Sequence, residues 1–186
     1  MSYLVNPYMV TAAGGYWYEH INETDIDTYF FARTGTEDWR WGIRVSEITD
    51  GAGNTLNSMD VQWRIKTGTP TMQIIGRLWD DSNPAVILDT LNFEDSGSGT
   101  YLTGSDITSS FEWYTATAAS PTVVDDDMII GIEALNAGTS PASNYMTMAR
   151  SPWVPSPTPA NYNGWSGSVS QGWQTNSPYR MNQRLS

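Results

Sequence analysis

An all-β fold, an antiparallel β-sandwich flanked by extended N- and C-terminal arms, is what this sequence predicts. Three observations carry it. Apolar residues alternate with polar ones at a period of two in one stretch after another, while the spacing of an amphipathic helix is weak. Clusters of Gly, Asn, Asp, Ser and Pro punctuate those stretches at short intervals. Nine Trp and ten Tyr stand among 186 residues with few charges, a composition of aromatic-rich, half-buried strands and not of disordered chain.

The elements follow in order. "MSYLVNPYMVTAAGG" (1–15) reads as an N-terminal arm, and "GGYWYEHI" (14–21) as a first strand. "TDIDTYFFAR" (24–33) puts Ile26, Thr28, Phe30 and Ala32 on one face. "WRWGIRVSEI" (39–48) sets Trp39, Trp41, Ile43 and Val45 against Arg40, Arg44 and Ser46. "SMDVQWRIK" (58–66) is the clearest case: Met59, Val61, Trp63 and Ile65 face one way, Asp60, Gln62, Arg64 and Lys66 the other. Further strands are predicted at 71–79, 85–91, 109–117, 127–135 and 143–150. "TDGAGNTLN" (49–57) reads as a Gly/Asn loop, "TGTPT" (67–71) as a tight hairpin link, and "DDSNP" (80–84) as a turn. Residues 94–106 and 136–144 are longer loops. About nine strands so spaced suit a sandwich or barrel. The expected organisation is an arm at 1–15, a sandwich domain at 16–150, and a Pro/Trp-rich segment at 151–186 that is either a second arm or part of the same domain.

The strand "MDVQWRIK", then "GTPTMQIIGRLWDDSN", "ILDTLNF", "DITSSFEWYTATA", "DDDMIIGIEAL" and "GTSPASNYMTMAR" together resemble a jelly-roll β-sandwich module of the carbohydrate-binding-module type. The resemblance runs from Leu56 to Arg150, about half the chain, and concerns fold more than function. It implies a jelly-roll-like sandwich of the kind carried by exposed proteins of microbial surfaces and by viral and phage particles. It also implies that loop oxygens are candidates for a structural calcium ion.

Charge narrows the function classes. The net charge of −11 argues against nucleic acid, since a DNA or RNA binder needs a basic stripe. All twenty acids lie at or before Glu133, where six basic residues leave a net of −14. Residues 134–186 carry Arg150, Arg180 and Arg184 and no acid. A mildly basic tail therefore follows an acidic body, and is expected to lie on an acidic surface, its own or a neighbour's. There is no Cys, hence no disulfide and no thiolate chemistry. No apolar run approaches the roughly 20 residues that cross a bilayer. The opening residues lack the basic-then-apolar pattern of an export leader. The expectation is a trimmed signal, another export route, or assembly inside a cell followed by lysis.

Candidate chemistry is sparse. A Ser–His–acid triad would have to use His20, the one histidine, and no G-x-S-x-G elbow is present. Glycoside hydrolysis needs paired carboxylates on a strand. Glu133 and Glu112 stand alone on theirs, and Asp25 and Asp27 fall near a strand edge. No enzyme is expected. Calcium candidates are Asp80, Asp81 and Asn83, Asp50 and Asn54, and Asp125, Asp126 and Asp127, with solvated turn acids as the alternative. Candidate glycan platforms are Trp39, Trp41, Trp113 and Tyr114, with core tryptophans as the alternative. Phe111, Trp113 and Thr115 share a face opposite Glu112 and Tyr114. Asn22-Glu23-Thr24 is an N-glycosylation sequon.

The segment "SPWVPSPTPANYNGWSGSVSQGWQTNSPY" (151–179) holds three Trp and five Pro without one charge. Its proline-rich start should be extended. Trp153, Trp165, Trp173, Arg180 and Arg184 are the candidate subunit-interface residues, since Trp and Arg favour such anchors. The expected function is a non-enzymatic structural subunit of a virion, phage particle or extracellular filament that self-assembles through its arms. The alternative is a carbohydrate- or cell-surface-binding module. Neither nucleic acid nor membrane insertion is expected, and no cofactor beyond a structural calcium.

Overall fold

A computed structural model describes residues 15–21, 27–31, 39–83, 86–135, 143–152, 165–166 and 179–186. Among the described residues there are twelve strands: β1 (Tyr18–His20), β2 (Asp27–Phe31), β3 (Trp39–Arg44), β4 (Thr55–Thr67), β5 (Ile74–Asp80) and β6 (Ile87–Asn92) come first. They are followed by β7 (Glu112–Val123), β8 (Met128–Ala134), β9 (Tyr145–Pro152), β10 (Trp165–Ser166), β11 (Tyr179–Met181) and β12 (Gln183–Leu185). One 3-10 turn, Val45–Glu47, follows β3. The fold is all-β and every strand pair is antiparallel, as the period-2 pattern predicts.

All strands belong to one sheet with the main order β1-β12-β4-β7-β6-β5-β8-β3-β10, and β9 joins β4 to β2 and β11. The sheet curls on itself. Trp41 and Ile43 of β3, Met59 and Trp63 of β4, and Leu185 of β12 come from opposite parts of that order yet share one buried cluster. β11 also comes back against β3. Within the order, β4-β7-β6-β5 is a Greek key, three hairpin-linked strands with the preceding strand laid beside the last. The core side of β4 is Met59, Val61, Trp63 and Ile65, and Asp60, Gln62 and Arg64 take the opposite face, where Asp60 and Gln62 are themselves covered.

The segment 67–71 departs from the expected tight hairpin. β4 and β5 are not neighbours, because β7 takes one edge of β4 while β12 and β9 share the other. The chain must cross over to reach β5. Gly68 makes that exit with φ 68°, and Thr69 donates its N–H to Asn144 Oδ1 at 2.8 Å. Gly131 answers a different need. It faces Gly42 across β3 and β8, and a Cβ there would collide with the Trp41 carbonyl.

The divided edge of β4 is the main feature of the fold. Trp63–Thr67 pair with β9, starting at Trp63↔Met148, while Met59–Val61 pair with β12. β9 leaves β4 and at Arg150–Pro152 pairs with β11 instead. Residues 179–186 therefore enter a fork as a wedge, with β11 on β9 and β12 on β4. At the branch point Asn182 donates its backbone N–H to Ala149 O (2.9 Å) and its carboxamide to Gln62 Oε1 (3.1 Å). Met181 and Leu185 fill the core beneath. Each such side chain contributes roughly 1.5–3 kcal/mol by leaving water. Ser186 pairs with Ser58 through both backbone bonds at 3.0 Å, and β1 closes the far side of β12.

Candidate functional site

Four side-chain groups on the described surface have the density a site would need. The first lies on the outer face where β1, β12, β4 and β7 run side by side. Register puts Arg184 of β12 between Glu19 of β1 and Asp60 of β4, and Thr115 of β7 beyond Asp60. Arg184 Nε bonds Glu19 Oε2 at 3.0 Å, and its guanidinium lies 4.2 Å from the Trp113 ring centre and 5.4 Å from that of Tyr16. Asp60 is buried and accepts from Tyr16 Oη (2.6 Å) and Thr115 Oγ1 (2.8 Å). The bond to Asp60 raises the Tyr16 pKa above its ordinary value; burial and the Asp60 charge push the same way, and Arg184 opposes them. Nearby, Arg64 lies 4.3 Å over the Phe111 ring. These groups satisfy one another, and the arrangement clasps four strands.

The second group is on the face of β3, β8 and β5 opposite the core cluster. Glu133 Oε1 meets Arg40 at 2.8 Å and Oε2 meets Arg77 Nε at 2.9 Å. Arg77 also donates to Thr90 Oγ1, and Arg40 sits 5.5 Å from the Trp79 ring centre. Glu133, Arg40 and Trp79 are all buried. Both oxygens of Glu133 are thus held by arginines, which fixes the register of three strands.

The third is an acidic end of the sheet. Asp80 pairs with Met128, and Asp81 donates its N–H to Asp127 O at 2.8 Å, which brings the turns 80–83 and 125–127 together. Asp80 Oδ1 accepts from Ser82 Oγ, Ser82 N–H and Asn83 N–H, and these bonds hold its carboxyl below the ordinary range. Asp81 pairs with Arg44 at 2.8 Å, and Asp125 Oδ1 accepts the Asp126 N–H. In the loop after β3, Asn54 bonds the carbonyls of Asp50 and Gly51. Among the described residues, no set of three or more His, Asp or Glu side chains is placed to hold a metal ion.

The fourth group is apolar, and the alternation pattern missed it. β6 is bulged at Leu88, since Leu78 faces Asp89 while Trp79 faces Ile87. β7 is also irregular: two steps along β4, Leu56 to Ser58, match five along β7, Thr122 back to Thr117. Pro121, which cannot donate to a ladder, sits in that irregularity. The β6–β7 ladder is correspondingly confined to Leu91↔Ala118 and Asn92↔Thr117. Where the strands part, Val86, Ile87, Leu88 and Val123 are exposed, Leu88 by 43 % and Val123 by 62 %. Thr122 Oγ1 lies 3.3 Å from Asp89 Oδ2, which keeps Val123 beside β6.

The structure separates the sequence candidates. Trp41 is a core residue, and Tyr114 packs against the core with its Oη accepting the Thr108 N–H. Trp113 is on the outer face, half-buried under Arg184. Trp39, Trp165 and Arg180 are placed in β3, β10 and β11 by their backbone alone. Trp153, Trp173 and the sequon at Asn22 lie outside the described residues, as does Asp25. Arg184 pairs with an acid of its own chain, Glu19. His20 is half-buried in β1 opposite Gln183.

No protein-family model, curated protein or solved structure matches this chain.

Proposed function

We propose that the chain is a non-enzymatic structural subunit that packs against neighbours in a larger assembly, such as a virion, a phage particle or an extracellular filament. The apolar corner of Val86, Ile87, Leu88 and Val123 carries this reading. Exposed apolar residues grouped where a strand ladder is interrupted are a place for another chain to cover. The polar clusters point the same way. Glu133, Asp60 and Arg184 are spent on holding strands together, and a clasped sheet suits a load-bearing part. The acids of the body favour neighbours that present neutral or basic surface.

The glycan-binding alternative draws on Trp113, and one face of that ring already carries the Arg184 guanidinium. Its test is quenching of tryptophan emission on a glycan panel.

The assembly reading is tested by solution mass. A full-length chain with Leu88→Asp and Val123→Asp is expected to keep its far-ultraviolet circular dichroism and fall to a smaller mass than the parent. An unchanged oligomer would remove the corner as the interface.

A further inference from the structure

The wedge of residues 179–186 is held by tertiary contacts with distant strands. Ser186 Oγ meets Ser58 Oγ at 2.7 Å across 128 positions, Arg184 meets Glu19 across 165, and Asn182 meets Gln62 across 120. Its nearest partner along the chain is β9, where Tyr179 faces Pro152. Residues 153–178 separate the two strands and carry no charge. Within them β10 (Trp165–Ser166) pairs with β3, and the 12 residues between Ser166 and Tyr179 reach roughly 40 Å when extended, about the length of β4. Beyond β10, a span of that length does not by itself dictate which fork its strand fills.

The fork itself demands a strand. Without one, β4 at Met59–Val61 and β9 at Arg150–Pro152 would show open edges, and the core would lack Met181 and Leu185. The charges are also complementary. The wedge, 179–186, carries Arg180 and Arg184 and no acid, while residues 1–133 have a net of −14. Arg184 finds its carboxylate, Glu19, on the acceptor portion.

We propose that in the assembled state residues 179–186 of one copy fill the β4/β9 fork of a second copy. The contacts are the same as within one chain, so exchange loses none of them and joins subunits by central-strand hydrogen bonds. At the high local concentration of an assembly, a neighbour's fork competes with the chain's own. This inference rests on the reading of the chain as an assembly subunit, and it names the joint.

The chain has no cysteine, so introduced thiols report alone. Full-length Ser58→Cys chains and full-length, size-tagged Ser186→Cys chains are refolded together, concentrated and oxidised. Exchange predicts a mixed disulfide pair containing one of each on a denaturing gel. It also predicts multi-chain ladders from the full-length double variant. The proposal is overturned when the double variant closes within single chains and the mixed single variants stay unlinked. Should neither pair close a disulfide, spin labels on the same two positions decide. Label-to-label coupling between copies supports exchange, and coupling confined to one chain contradicts it. Oligomers whose disulfides are all intrachain would defeat exchange and leave the assembly reading standing. Monomers with intrachain disulfides would defeat both.

Discussion

Asn182 and Gln62 hold each other where β4 and β9 separate: the Asn182 carboxamide donates to Gln62 Oε1 at 3.1 Å, and both side chains are buried. One hydrogen bond thus marks where the last described strand turns from one neighbour to the other. Asn182→Ala leaves the Gln62 oxygen buried without that donor. The expected loss is about 1–3 kcal/mol, read as a lower urea midpoint with an unchanged slope.

Leu185 is fully buried under β12, so Leu185→Ala should cost about 2–5 kcal/mol. Val123→Ser, at an exposed position, should stay within about 0.5 kcal/mol in the same assay when dilute. A chain stopped at Arg150 loses the whole wedge and should show no cooperative unfolding transition.

Arg184→Met removes both the Glu19 pair and the contact with the Trp113 face. Partly exposed pairs of each kind are worth roughly 0–1 kcal/mol, so the total loss should be about 1 kcal/mol. The Trp113 emission maximum should shift as its ring loses the guanidinium. Arg184→Lys should recover only part of both effects, because an ammonium cannot lie flat on a ring.

Acid sensitivity should involve Asp106. Burial works against its charge, but the N–H of Gly97 and the hydroxyl and N–H of Thr103 outweigh it and hold the pKa below the ordinary value. A carboxyl lowered by folding stabilises above its unfolded pKa, and that contribution is lost as pH falls through the folded pKa. Asp106→Asn should therefore flatten the acid limb of a stability–pH curve. Tyr16 has the opposite sign. Its raised pKa gives a contribution present below the unfolded value near 10.0 and lost as pH climbs through the folded value, so Tyr16→Phe should flatten the alkaline limb.

The body of the fold was legible because its strands are half-buried. "SMDVQWRIK" shows its core face and its outer face in one line, and the structure keeps both. Pairing was not legible, since alternation records which face a residue takes and not which strand lies beside it. That is why 67–71 read as a hairpin although β4 already had neighbours on both edges. The wedge was hidden for a related reason. "YRMNQRLS" is short and polar, and only its placement in the fork explains why Met181, Asn182, Gln183 and Leu185 are buried. In the candidate sites, a tryptophan on a strand has one of two fates, and the sequence did not separate Trp41 in the core from Trp113 outside. The apolar corner escaped because bulges in β6 and β7 break the alternation that would have flagged it.

Light scattering of the unmodified full-length chain over a concentration series tests the central claim most directly. The assembly account predicts a mass well above one chain, rising or holding steady with concentration, and reduced by Leu88→Asp with Val123→Asp. A folded species of 20.6 kDa at every concentration would contradict it.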